Sequence, residues 1–244
     1  KLSDRLHEEL TKTFIDKRAS VLARGLKQDI TFSTEIIEDE KVMINNQYIG
    51  NLKGLKLHLD LKVDALDADI KSLKKAARQN VSPEIIKRIK QIIDTGLIEL
   101  KKDFKIYWKN NQIAKLLPGE DYLNPKINLL VDDMIENDER SKLDLFIQGW
   151  IQKKINTELK SLVDLKNTQE KNSDLRALAY HLYENNGVVK REDVLSYLKK
   201  LDQNERKKLR NLGVRFGRYH IFLFKLFKPS TVSLRTLLWK NYHE

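Results

Sequence analysis

The chain has 244 residues, of which 41% are hydrophobic and 33% charged, with a net charge of +11. That is enough apolar material for one or two domains with a real core, and too much for a disordered chain. The absence of cysteine excludes disulfides, thiolate chemistry and Cys-built zinc sites, and the five histidines are scattered.

No apolar run approaches the roughly 20 residues of a membrane span. The first residues, Lys1-Leu2-Ser3-Asp4, have no signal-peptide pattern and read as a cut into a longer protein, so a cytoplasmic setting is expected. The charge is uneven. Residues 175–244 hold 15 basic and 6 acidic residues, a net +9, whereas residues 1–40 are net −2. A polyanionic partner is therefore expected at the C-terminal end, nucleic acid before membrane.

Residues 1–28 are expected to be an amphipathic helix, with Leu6, Leu10, Phe14, Val21 and Leu22 at helical spacing. Its early charges are acidic and its later ones basic, which suits the helix dipole. Lys17 and Arg24 fall two turns apart on nearly the same face, and they and Arg18 are expected nucleic-acid contacts, with a solvated face of a packing helix as the alternative. Residues 29–40 read as a polar connector, with Ile36 and Ile37 in a short strand. Asn45-Asn46 between apolar runs signals a hairpin, because Asn tolerates positive φ. Leu55, Leu57, Leu59 and Leu61 then alternate with Lys56, His58, Asp60 and Lys62, a half-buried strand with His58 on its wet face. Two helices follow, one around Leu66 to Ala77 and one starting at Ser82-Pro83-Glu84 and stopping at Gly96.

The pattern then recurs. Lys41, Ile49 and Leu52 match Lys105, Ile113 and Leu116 at an offset of 64, and Val63-Asp64 match Val131-Asp132. A long helix with Leu143, Ile147, Ile151, Ile155, Leu159 and Leu162 on one face follows. The reading is an α+β, helix-rich fold with a duplicated body over 29–165. Its two hairpin-strand-helix units cover about 41–96 and 105–162, and short hairpins of this kind need each other to bury their faces.

Residues 166–174 are polar and read as a linker to a basic module, 175–244. Ser173 is expected to cap a helix ending near Gly187, and His181 to pack beside its apolar face. A helix from Glu192 to Lys200 is followed by an Asp202/Glu205 capping box for the next, which ends at Gly213. Val214 to Phe224 is strand-like with a turn at Gly217, and Pro229 starts a last helix. Short helices and a β-ribbon are compatible with a winged-helix-like module.

Within this module Arg206 to Lys240 contains ten Lys or Arg and no Asp or Glu, interleaved with aromatic rings. The expected phosphate contacts are Lys207, Lys208, Arg210, Arg215, Arg218, Lys225 and Lys228, with Phe216 and Tyr219 as stacking groups. Ile221, Leu223, Phe224 and Phe227 are expected in the core.

No phosphate-binding Gly loop, zinc-protease motif or nucleophile elbow occurs. Asp132-Asp133 could hold Mg²⁺, but at a strand-to-helix junction a capping role is favoured. No catalytic or metal site is expected in this chain.

Residues 6–26 resemble a segment beyond the motor of alphaproteobacterial superfamily 2 helicases, relatives of the mitochondrial degradosome-type RNA helicases. Leu212-Gly-Val-Arg-Phe-Gly217, Leu226-Phe-Lys-Pro229 and Leu234-Arg-Thr-Leu-Leu-Trp239 are similar to the C-terminal part of the same proteins. Tyr48-Ile-Gly-Asn-Leu-Lys-Gly-Leu and Ala114-Lys-Leu-Leu-Pro-Gly fit between them, in the same order. The resemblance implies a non-motor accessory region of an ATP-dependent helicase, holding single-stranded segments of RNA or DNA beside a motor in the same polypeptide. ATP and Mg²⁺ would belong to that motor, with no cofactor in this chain and no membrane partner. The alternative is a scaffold that docks on the motor or another protein without touching nucleic acid.

Overall fold

The computed structural model describes residues 34–37, 40–44, 47–60, 67–168 and 172–243, with three isolated positions, 3, 5 and 6, ahead of them. The amphipathic helix expected over 1–28, with Lys17, Arg18 and Arg24, lies almost wholly outside the described residues, as do the Asn45-Asn46 turn and Val63-Asp64. The fold is α+β and helix-rich, with two four-stranded antiparallel sheets followed by short helices. It divides into two compact units. The first comprises residues up to 101, 105–115 and 129–144; the second comprises 102–104, 116–128 and 145 onward.

In the first unit β1 (Thr34–Ile37), β2 (Lys41–Ile44), β3 (Gln47–Lys53) and β4 (Lys56–Leu59) pair in chain order. A second sheet, also in chain order, has β5 (Glu99–Leu100), β6 (Lys105–Trp108), β7 (Asn111–Leu117) and β8 (Lys126–Leu129), with β7 running on into the second unit at Leu116. β2 and β6 begin 64 residues apart, and so do β3 and β7. Both hairpins shift register at the same place, between Val42 and Met43 and between Ile106 and Tyr107. Lys109 and Asn110 close the second hairpin with φ of 44° and 66°, the positive pair that a two-residue turn needs to match strand twist. His58 is exposed between buried Leu57 and half-buried Leu59, as strand alternation predicts.

α1 (Asp67–Thr95) is a single helix of 29 residues and contains Pro83. The expected break at Ser82-Pro83 does not occur. Ala77, Val81, Ile85, Ile89 and Ile92 form one buried stripe across the proline, and burying that stripe outweighs the missing hydrogen bond. The helix ends at Gly96, whose φ of +64° is open to glycine at no cost. From it Arg88 reaches the first sheet. Its guanidinium donates to the carbonyls of Leu52 (3.3 Å) and Gly54 (2.9 Å) and pairs with Glu40 (3.1 Å), and Asn111 Nδ2 donates to the same carboxylate.

Asp132 ties the two sheets of this unit. Leu55 and Val131 form a parallel bridge, and the Asp132 N–H donates to the Leu55 carbonyl. Its carboxylate, 1% exposed, accepts from the amides of Leu57 and Met134 and lies 3.5 Å from Arg78. It thus caps a turn ahead of the next helix rather than that helix itself.

α2 (Asn137–Glu158) starts in the first unit and continues into the second. The expected single helix to Leu162 breaks at Leu159, and α3 (Lys160–Lys166) follows. The buried stripe of Ile147, Ile151, Ile155, Leu159 and Leu162 persists across the break. The rest of the second unit is α4 (Ser173–Glu184), β9 (Val188–Lys190), α5 (Leu195–Lys200), α6 (Gln203–Asn211), β10 (Val214–Phe216), β11 (His220–Leu223), a 3-10 turn (Phe224–Phe227) and α7 (Pro229–His243). β10, β11 and β9 make a three-stranded antiparallel sheet with β11 in the middle. Asn172, not Ser173, caps α4, because its side chain accepts from the amides of Asp174 and Leu175. The helix expected from Glu192 begins only at Leu195, after a turn over residues 191–194.

Arg88→Ala leaves the Leu52 and Gly54 carbonyls and Glu40 without their cation. It is expected to lower unfolding stability by about 2–3 kcal/mol, read from the urea midpoint by tryptophan fluorescence. A loss below ~0.5 kcal/mol would show that Arg88 does not clamp the sheet.

Candidate nucleic-acid interface

α6 is the first part of this surface. It buries only Leu209, so the helix touches its own core along one thin edge. Both halves of the Asp202/Glu205 capping box form, at 2.7 and 2.9 Å, and Asn172 also donates to Glu205. Arg206 turns back and donates to the Leu198 carbonyl at 2.7 Å, so it serves packing. Lys207, Lys208 and Arg210 stay exposed. Lys208 and Arg210 sit in the last turn, where cations complement the helix dipole.

The second part is the β10–β11 hairpin. Gly217 and His220 close it through a 2.9 Å backbone bond, leaving Arg218 and Tyr219 at the tip. Arg218 lies over the Tyr219 ring at 5.4 Å, and Tyr219 is 69% exposed. Arg191, just after β9, fixes this tip twice. Its amide donates to the Tyr219 carbonyl (2.8 Å) and its guanidinium to the Gly217 carbonyl (3.1 Å). Lys190, Arg191, Leu195, Tyr219 and His220 are among the residues that line an open cleft of about 520 Å³ beside the tip.

The expected site residues fall into three groups. Arg210 joins α6 to the hairpin by stacking on Phe216 at 5.4 Å, with Lys207 and Lys208 on the same helix. Arg218 and Tyr219 form the tip. Arg215 lies instead with Phe224, at 6.0 Å, next to exposed Lys225 and Lys228. Phe216 is half-buried. Among the described residues, Lys207, Arg210, Arg215, Arg218, Lys225 and Lys228 have no carboxylate within ion-pair distance.

Two expectations fail. Ile221 and Leu223 are fully buried, but Phe224 and Phe227 are 61% and 53% exposed. The 3-10 turn gives the core one residue, Leu226, and its two phenylalanines point outward. The role of Arg191 also escaped notice. A cation right after Gly187-Val-Val-Lys190 is its only trace in the sequence, because the strand it ends is three residues long.

A separate polar cluster anchors α4 within this unit. Tyr122 stacks on Tyr183 at 4.8 Å and donates to the Tyr183 carbonyl, and Tyr183 donates to Asp121. Burial pushes the Asp121 carboxyl up. Bonds from Lys166, Asn124, the Leu123 amide and Tyr183 outweigh that and hold it below the usual carboxylate range. Burial pushes both tyrosine hydroxyls up. Among the described residues, no three of His, Asp and Glu gather as a metal-holding group, and no helix is long and apolar enough to cross a membrane.

No protein-family model, no curated protein and no solved structure matches this chain.

Asp121 carries a pH dependence. Its pKa is depressed in the fold, so its contribution is present above the unfolded value of about 3.9 and is lost as pH falls through the folded value. Asp121→Asn is expected to lose about 1–2 kcal/mol at neutral pH and to flatten the acid limb of stability below about pH 4. Denaturant titrations at neutral pH and at pH 3 check this; parallel losses at both would exclude the linkage.

Proposed function

We propose that residues 172–243 are a winged-helix module that grips nucleic acid, with α6 as the inserting helix and the Arg218-Tyr219 tip as the wing. One observation carries this. The chain runs helix, strand, two helices and a hairpin, with the first strand beside the last, and it sets a helix whose only acid, Glu205, is engaged in its capping box, and whose Lys207, Lys208 and Arg210 are exposed, next to a cationic hairpin tip. Lys207, Lys208 and Arg210 would lie against phosphates on either side of a groove, and Arg218 would reach the neighbouring backbone. Tyr219 offers a stacking edge. Such contacts hold the backbone and carry little sequence information.

We further infer that β1–β4 with α1 and β5–β8 with α2 are two copies of one unit. Their support is the common 64-residue spacing of β2/β6 and β3/β7 and the common site of register shift. From the resemblance to the superfamily 2 helicases we also infer an ATP-driven motor in the same polypeptide, beside which this chain would act. In that setting the module supplies grip and the motor supplies ATP hydrolysis.

Binding of a labelled hairpin duplex, followed by fluorescence anisotropy, tests the central claim. Affinity should fall steeply with salt, and Lys207→Ala with Arg210→Ala should weaken it about tenfold and lower the log–log salt slope by about 1–2. No binding at about 50 mM salt would remove the reading and leave the scaffold alternative.

A further inference from the structure

The sheet of the C-terminal module has a second face. Val189, Val214, Ile221 and Leu223 are buried on the side that packs on the helices. By strand alternation Val188, Arg215 and Phe222 lie on the other side, and the register places them in one row across the three strands. An outer sheet face of this kind normally carries unlinked polar residues. Here it continues into a run of rings and cations. Phe222 meets Phe227 edge to face at 5.5 Å, Arg215 lies 6.0 Å from the Phe224 ring, and Arg235 lies 5.9 Å from the Phe227 ring.

The exposure of Phe224 and Phe227 has a cause in the fold. Gly187, at φ +84°, leaves a hole that Leu226 fills, its Cδ1 only 2.3 Å from where a Cβ would stand. Leu226 inside that hole turns its neighbours on the 3-10 turn outward. Arg235 is held from behind by the Asn186 carbonyl at 2.9 Å, so it fixes the Phe227 ring. Lys225 and Lys228 flank the rings and are exposed, and no Asp or Glu occurs from 206 to 243.

We propose that this outer face binds a single strand of nucleic acid, on the opposite side of the sheet from α6. Bases stack on Phe224 and Phe227, and Arg215, Lys225 and Lys228 hold the phosphates. Ring faces accept any base, and the surrounding charge of one sign suits a polyanion and repels basic proteins. The module then presents a duplex surface on α6 and the tip and a single-strand surface on the sheet, the two limbs of a junction. The ligand class rests on the function proposed above; the surface does not share the α6 residues.

The experiment uses the full chain and fluorescence anisotropy with three labelled probes: a 12-nucleotide RNA, the same sequence as DNA, and a hairpin duplex. Phe224→Ala with Phe227→Ala is expected to weaken at least one single strand about tenfold or more and to change duplex binding less than twofold. Lys207→Ala with Arg210→Ala should do the reverse. Phe224→Trp, which keeps a stacking ring, should retain single-strand binding, and circular dichroism should superimpose for all variants. Single-strand binding unchanged in the Phe pair, or both ligands weakened equally, overturns the second face. Duplex binding without any single-strand binding also overturns it while leaving the first reading intact. Absence of both removes the first reading as well.

Discussion

The first unit hangs on a carboxylate that water barely reaches. Asp132 is 1% exposed, and a charge so placed is costly unless every lone pair has a partner. The fold supplies two backbone amides and Arg78, and the Asp132 backbone itself bonds to Leu55. These contacts fix where the edge of one sheet meets the strand end of the other. Arg88 repeats the logic with opposite sign, a guanidinium 11% exposed that spends its donors on Glu40 and two carbonyls. The apolar stripe of α1 supplies most of the burial energy, and it would tolerate sliding. The two ionic anchors do not, because a shift of one residue would strand a charge.

The second unit treats charge in the other way. Its last acids before the basic stretch, Asp202 and Glu205, are engaged at the surface in capping α6, and Glu205 also receives Asn172. Asp174 meets Lys200, and Asp121 meets Lys166. What remains at the surface from α6 onward is cationic. The capping role of Asp202 and Glu205 and the cationic excess beyond them are linked: these two acids stabilise the start of α6, and Lys207, Arg210 and Arg218 have no carboxylate within ion-pair distance among the described residues.

Much of this was legible in the residues. The capping box, the stop at Gly96, the turn at Gly217 and the strand at Leu57 were each written in local chemistry that the fold did not need to overrule. The failures have one kind of cause. Ser82-Pro83 is a good start for a helix, but a continuous stripe of Val and Ile on both sides of it outweighs a local signal. Ser173 yields to Asn172 because the amide oxygen of Asn172 sits where both first-turn amides can reach it. Phe224 and Phe227 look like core by composition. Only the hole above Gly187, formed by residues some 40 positions away in sequence, determines that Leu226 goes in and the rings come out. The pairing of β9 with β11, and with it the role of Arg191, is equally non-local.

The double hold of Arg191 on the hairpin tip has a further consequence. A two-residue tip carrying Arg218 and Tyr219 would ordinarily sample many conformations, and ordering it on contact would cost entropy for each residue fixed. Here the β9 end has already ordered it, through one amide and one guanidinium bond made within the fold. Whatever meets the tip finds its side chains standing on a settled backbone. The cost of shaping the surface falls in folding rather than in association, so less of the contact energy is spent on ordering the tip.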